Sequence, residues 1–208
     1  MRRNQSLGLG LGLVVLCLAA NPAAARRYDR PHQHGLLLRL SGGIGYGSET
    51  FDNDRDTGFQ GGAVMGSFAI GGNIAPGLAL DVDFFGMTMF APTVIEDGDD
   101  VGEASNTRVN VGGIGVGITG YIAPVNIYLA ASVGAAVGTT RTKTPAGTLE
   151  FDSDPGFAMN LMIGKEWLVS PAWGVGLAGQ VIYAALDDGD ADSTNAFGVG
   201  VLLSATYN

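Results

Sequence analysis

Two histidines, His32 and His34, and two runs of aspartate are the side chains in this 208-residue sequence whose spacing could do chemistry. A His-x-His pair offers two imidazole nitrogens to a metal, but a closed site takes four ligands, and two in a terminal tail make a poor one. Asp52-x-Asp54-x-Asp56 has the carboxylate spacing that opens a calcium-binding loop. The glycine which that loop needs at its sixth position falls one residue late, at Gly58, and Ala63 stands where the bidentate glutamate belongs. Asp187, Asp188, Asp190 and Asp192 could likewise gather a divalent cation. Solvation of surface loops accounts for both runs, so divalent cations stay candidate partners of acidic loops, and no metal site or cofactor is assigned.

The chain ends and the charge narrow the classes further. Arg2 and Arg3 precede an apolar run over residues 7–20, followed by Ala23-Ala24-Ala25, the layout of a secretory signal peptide cut after residue 25. The only cysteine, Cys17, lies inside that run, so the mature chain has neither disulfides nor thiolate ligands. It keeps nine basic residues against twenty acidic ones, a net charge of −11, which excludes nucleic acid as a partner. No stretch approaches the ~20 continuous apolar residues of a membrane-spanning helix.

Strands must position whatever chemistry there is. In the last stretch Phe197, Val199, Val201, Leu203, Ala205 and Tyr207 fall on one face while Gly198, Gly200, Leu202, Ser204 and Thr206 fall on the other, a period of two. The aromatics at its ends are ten residues apart. At ~3.3 Å per residue and a tilt of ~40°, that spacing covers about 25 Å, the height of a lipid-facing band. Trp173/Tyr183 and Phe157/Trp167 repeat the spacing. Seven further strands are predicted at residues 35–46, 59–70, 78–90, 107–122, 126–138, 156–168 and 173–186. Bulges at Gly61-Gly62 and Gly112-Gly113 are expected to reconcile outward Phe59, Val109 and Val111 with the apolar residues after them. Pro76, Pro124 and Pro171, 48 and 47 residues apart, mark short turns that alternate with four longer loops holding sixteen of the twenty acidic residues. The fold class is therefore all-β: an eight-stranded antiparallel up-and-down transmembrane β-barrel over residues 35–208, with a periplasmic tail at 26–34. Both termini are expected on the periplasmic side and the loops outside.

By parity Arg39, Asp81, Asp83, Asn160, Glu166 and Gln180 point into the barrel, where a polar network spares them contact with lipid. An eight-strand interior is just wide enough to be filled by side chains. Arg39, Asp81 and Asp83 are expected at neighbouring heights and in contact across the lumen.

The eight alternating strands, the aromatic strand ends and the aromatic Tyr207 near the C-terminus resemble the small outer-membrane barrels of the OmpA-transmembrane-domain and OmpX type. The chain departs from that pattern by ending in Tyr207-Asn208 rather than in the aromatic itself. The resemblance implies an outer-membrane location, outer-membrane lipid as the surrounding partner and a contact role for the surface loops; it names no partner protein. Barrel lipid hydrolases and acyltransferases resembling this fold place a histidine near the outer-leaflet end, and neither His32 nor His34 can reach it, so no enzyme is expected. The alternative is a barrel similar to the OmpW type that binds or passes a small hydrophobic molecule, with Phe85, Met87, Met89, Met162, Ile182 and Leu202 lining an apolar pocket.

Overall fold

The structure is a computed structural model that describes residues 35–51, 57–123, 125–187 and 193–207. The signal segment, the tail with His32 and His34, the aspartates at 52, 54 and 56, and residues 188–192 lie outside the described residues.

Eight long strands build the wall: β1 Leu36–Phe51, β2 Gly58–Ala75, β3 Leu78–Phe90, β6 Thr107–Ile122, β7 Ile127–Thr144, β9 Asp154–Leu168, β10 Trp173–Asp187 and β11 Ser193–Tyr207. Each pairs antiparallel with its neighbours, and β1 is bonded to β2 on one side and to β11 on the other, so the sheet closes on itself. In hydrocarbon no water can satisfy a free backbone N–H or C=O, and closure removes the sheet edges that would expose them. Three short strands continue the wall at one end. β4 Thr93–Glu96 and β5 Asp99–Glu103 form a hairpin that adds to the start of β2, and β8 Gly147–Asp152 pairs with the end of β7. Much of two of the longer loops is thus β-ribbon.

Side chains alternate as a filled barrel in lipid requires. On β3, Leu80, Val82, Phe84 and Phe90 are exposed on the outer face, while Asp81, Asp83, Phe85, Met87 and Met89 are buried. The outer face continues around the wall through Ile114, Val116, Leu129, Val133, Leu161, Ile163, Val199 and Val201, all exposed. Trp173 and Tyr207, with ring centroids 5.4 Å apart, close this belt at the end where the chain enters and leaves.

The two expected bulges are absent. β1 and β2 keep one register from Leu36↔Gly72 to Thr50↔Gly58, and β6 and β7 keep theirs from Thr107↔Thr142 to Ile122↔Ile127. Without a parity change Phe59, Val109 and Val111 point inward, Val109 and Val111 fully buried and Phe59 packed on the same cluster. The rule that apolar residues face lipid fails there because the upper interior is itself apolar. Glu49 is a second correction: it lies at the end of β1, buried on the inner face, not in a solvated loop.

The upper inner faces of β1 and β11 carry glycines where β2 and β3 carry methionines. Gly45 pairs with Gly200 and Gly47 with Gly198, and methionines from β2 and β3 fill the trough. A Cβ on Gly200 would sit 2.6 Å from Met65 Sδ, one on Gly198 2.6 Å from Met87 Sδ, and one on Gly47 2.9 Å from Met89 Sδ.

Gly43 tests the seam most sharply. A Cβ there would run into the backbone of Val201 and Leu202, whereas Gly42, on the lipid side of the same strand, has open space beside it. Gly43→Ala is expected to lower the urea midpoint of the detergent-folded barrel by an overpacking cost of about 1–3 kcal/mol, and Gly42→Ala to leave it unchanged. Equal midpoints for the two variants would show that the β1–β11 seam is looser than described.

Candidate functional site

The interior is layered, and its lower half holds Arg39 and three of the buried carboxylates, the fourth being Glu49 near the upper end of β1. Arg39 on β1, Asp81 and Asp83 on β3, Asn160 and Glu166 on β9 and Gln180 on β10 are each at most 5% exposed. They do not form one cluster. Arg39 Nη2 donates to Thr119 Oγ1 at 3.2 Å, and Thr119 Oγ1 donates in turn to Asp81 Oδ2 at 3.0 Å. The hydroxyl of Thr119 thus carries the interaction between cation and carboxylate. The guanidinium also lies 4.6 Å from the ring centroid of Tyr128, whose face offers it negative quadrupole.

Asp83 belongs to a second group one layer higher. Its Oδ2 accepts from Ser132 Oγ and from Asn160 Nδ2, both at 2.8 Å, and Asn160 Oδ1 accepts from Gln180 Nε2 at 2.9 Å. Glu166 accepts from Thr206 Oγ1 at 2.6 Å, and Thr206 is the β11 residue paired with Arg39, so this carboxylate lies on the Arg39 side of the interior. Short charge-assisted bonds of this kind are the strong ones, and they explain how one arginine and three carboxylates persist in the lower half of an interior shielded from bulk water. The expectation that Arg39 meets both aspartates is corrected: Asp81 is reached through Thr119, and Asp83 is bonded to neutral side chains of β7 and β9.

Above these groups the interior turns apolar. Phe85, Met87, Met89 and Ile182 pack with Met65, Val109, Val111, Leu186 and a set of alanines in one cluster. Met162 and Leu202 belong to a different cluster, with Tyr128 and Ala178, at the level of the polar groups. Ser67 Oγ bonds Met162 Sδ at 3.4 Å within this lower level. The six residues considered as an apolar pocket are therefore divided, and each is at most 5% exposed. Two of the larger depressions, of about 800 and 720 Å³, are lined mainly by outward residues such as Phe68, Phe84 and Ile114 or Leu129, Leu161 and Val199, and so belong to the lipid-facing wall.

Several partners in these networks escape a search for charge or for large apolar groups. Thr119, Ser132, Thr206 and Tyr128 all share the parity of the named inward residues, but as common strand formers they stand out only once the cross-strand register is known. Among the described residues no group of three histidine, cysteine or carboxylate side chains is arranged to hold a metal.

Comparison with known proteins rests on shape. No protein family and no curated protein matches the sequence. Among solved structures, Neisserial surface protein A aligns with a TM-score of 0.55 at 10% identity, covering 83% of this chain and 98% of that one. The outer membrane protein OprG from Pseudomonas aeruginosa aligns at 0.45 and 10% identity over 86% and 99% of the two chains. Ail, the attachment invasion locus protein of Yersinia pestis, aligns at 0.40 and 13% over 80% and 98%. The first of these fixes the fold and nothing beyond it.

The relay through Thr119 makes a prediction. Removing one member of a buried charge pair costs about 3–5 kcal/mol because the other is left uncompensated. Arg39→Met is expected to lower the unfolding midpoint by a cost of that order. Adding Asp81→Asn should restore part of the loss, and adding Asp83→Asn clearly less. Urea unfolding of the singles and doubles in detergent reads the coupling, and additive losses for Arg39 and Asp81 would break the proposed relay.

Proposed function

We propose that this chain, which has the fold of the small eight-stranded outer-membrane barrels, is a non-enzymatic outer-membrane protein. Residues 1–25 are removed on export, the termini face the periplasm, and the longer acidic connections face outward and make its contacts. The observation that carries this reading is a closed lipid-facing belt around an interior occupied along its height, by hydrogen-bonded polar groups below and by methionine, valine and phenylalanine above. A filled eight-strand lumen leaves the ends of the barrel as the places where a partner can be met.

A barrel that binds or passes a small hydrophobic molecule needs a continuous apolar cavity, and the division of Phe85, Met87, Met89, Met162, Ile182 and Leu202 between two packed clusters weighs against it. Divalent cations at the acidic connections are a smaller part of the same proposal, since carboxylates in these segments outnumber basic residues.

Three measurements test the reading. The protein should fractionate with outer membranes and run with altered gel mobility unless boiled. An epitope inserted at residues 188–192 should be labelled on intact cells, and one at Pro171 should not. Planar bilayers containing the purified barrel should show no steady conductance. Recovery in the soluble fraction rejects the membrane location, labelling at Pro171 reverses the orientation, and a steady conductance favours the passage reading.

A further inference from the structure

One patch runs against the charge of the whole molecule. The mature chain has nine basic residues, and three of them, Arg108, Arg141 and Lys143, lie side by side on β6 and β7. Antiparallel register sets Phe90, Arg108, Arg141 and Glu150 in a single row across β3, β6, β7 and β8, with Lys143 opposite Thr148 one step further along. All three cations are exposed on the outer face, the parity of Ile114 on β6 and of Val133 and Val137 on β7. They therefore look toward the membrane rather than into the lumen.

Their height follows from strand length. β7 has 18 residues, which at ~3.3 Å each and ~40° tilt rise about 45 Å, well beyond an apolar band of about 25 Å. Val137 is the last large apolar residue on its outer face, and Arg141 lies four residues, or about 10 Å, beyond it. Phe90 marks the top of the belt on β3, and the Arg108 guanidinium lies 4.7 Å from its ring centroid. The patch thus sits where lipid headgroups begin.

Two like charges directly opposite on neighbouring strands repel. Arg108 faces Arg141 in that way, and only Arg141 has a carboxylate partner among the described residues, Glu150 Oε1 at 2.6 Å. An anion lying between the cations relieves this repulsion. Around them a depression of about 460 Å³ is lined also by Phe90, Asn106, Thr107 and Thr148, which add an apolar floor and amide and hydroxyl groups. Guanidinium forks match phosphate oxygens in geometry, lysine adds a point charge, and the ring beside Arg108 suits an acyl chain.

We infer that Arg108, Arg141 and Lys143 form a binding site on the outer wall for the phosphorylated sugar headgroup of an outer-leaflet glycolipid, lipopolysaccharide. This rests on the outer-membrane reading, with the β4–β5 and β7–β8 ribbons outside. The ligand is taken as a lipid and not as free phosphate because the cations share a face with the lipid belt and adjoin Phe90.

The test titrates the detergent-folded barrel with lipopolysaccharide, with its dephosphorylated form, with phosphatidylglycerol and with inorganic phosphate. Arg108→Gln/Arg141→Gln/Lys143→Gln is expected to raise the half-saturating concentration of lipopolysaccharide at least tenfold, and dephosphorylation to do the same for the unaltered protein. Glu150→Gln, which frees Arg141, is expected to lower it severalfold and does not depend on a damaged variant. Unchanged affinity in the triple variant, equal binding of phosphatidylglycerol, or competition by millimolar inorganic phosphate overturns the assignment. Heat-dependent gel mobility of each variant shows that the barrel has formed. A protein found in the outer membrane that does not bind lipopolysaccharide sinks this inference alone, whereas one found in the soluble fraction sinks the outer-membrane reading with it.

Discussion

Everything in this molecule depends on the hydrogen bonds between β1 and β11. They join the first described strand to the last and turn a twisted sheet into a wall without edges. A sheet edge in hydrocarbon leaves backbone groups with no partner at several kcal/mol each, so the structure is stable in lipid only as a closed ring. Closure with eight strands in turn fixes the bore, and the bore dictates which side chains fit within it.

The interior answers that constraint in two ways. In the lower half small hydroxyl residues, Thr119, Ser132 and Thr206, stand between or beside the long charged groups and give each carboxylate a donor. In the upper half the filling is apolar and depends on pairing large with small. Unbranched methionines from β2 and β3 lie over the glycines of β1 and β11, a use suited to a side chain that adapts to irregular gaps.

Alternation was enough to find the eight wall strands, the inward place of Arg39, Asp81 and Asp83, and the outward place of the aliphatic belt, because a period of two survives any uncertainty about strand ends. It misled at Phe59, Val109 and Val111, where hydrophobicity suggested the lipid face and continuous register puts the residues inside the upper core. Strand ends were short for a related reason. Glu49 at the end of β1 and the charged residues of β4, β5 and β8 look like loop to a reader of composition, yet their backbone groups pair as ribbon beyond the belt. Contacts that need cross-strand register were out of reach of one sequence. Thr119 between Arg39 and Asp81 is one, and the row from Phe90 to Glu150 is another.

The glycine trough has a consequence for the time course of assembly. β1 and β11 are the strands farthest apart along the chain, so bringing them together closes the largest loop and comes late among the pairings. At that step each new rung must form against an interior already furnished by the other strands. Gly45, Gly47, Gly198 and Gly200 present no side chains to be threaded past one another, and three flexible thioethers swing into the space once the rungs exist. Over these rungs the barrier to completing the ring is therefore one of chain entropy rather than of steric passage.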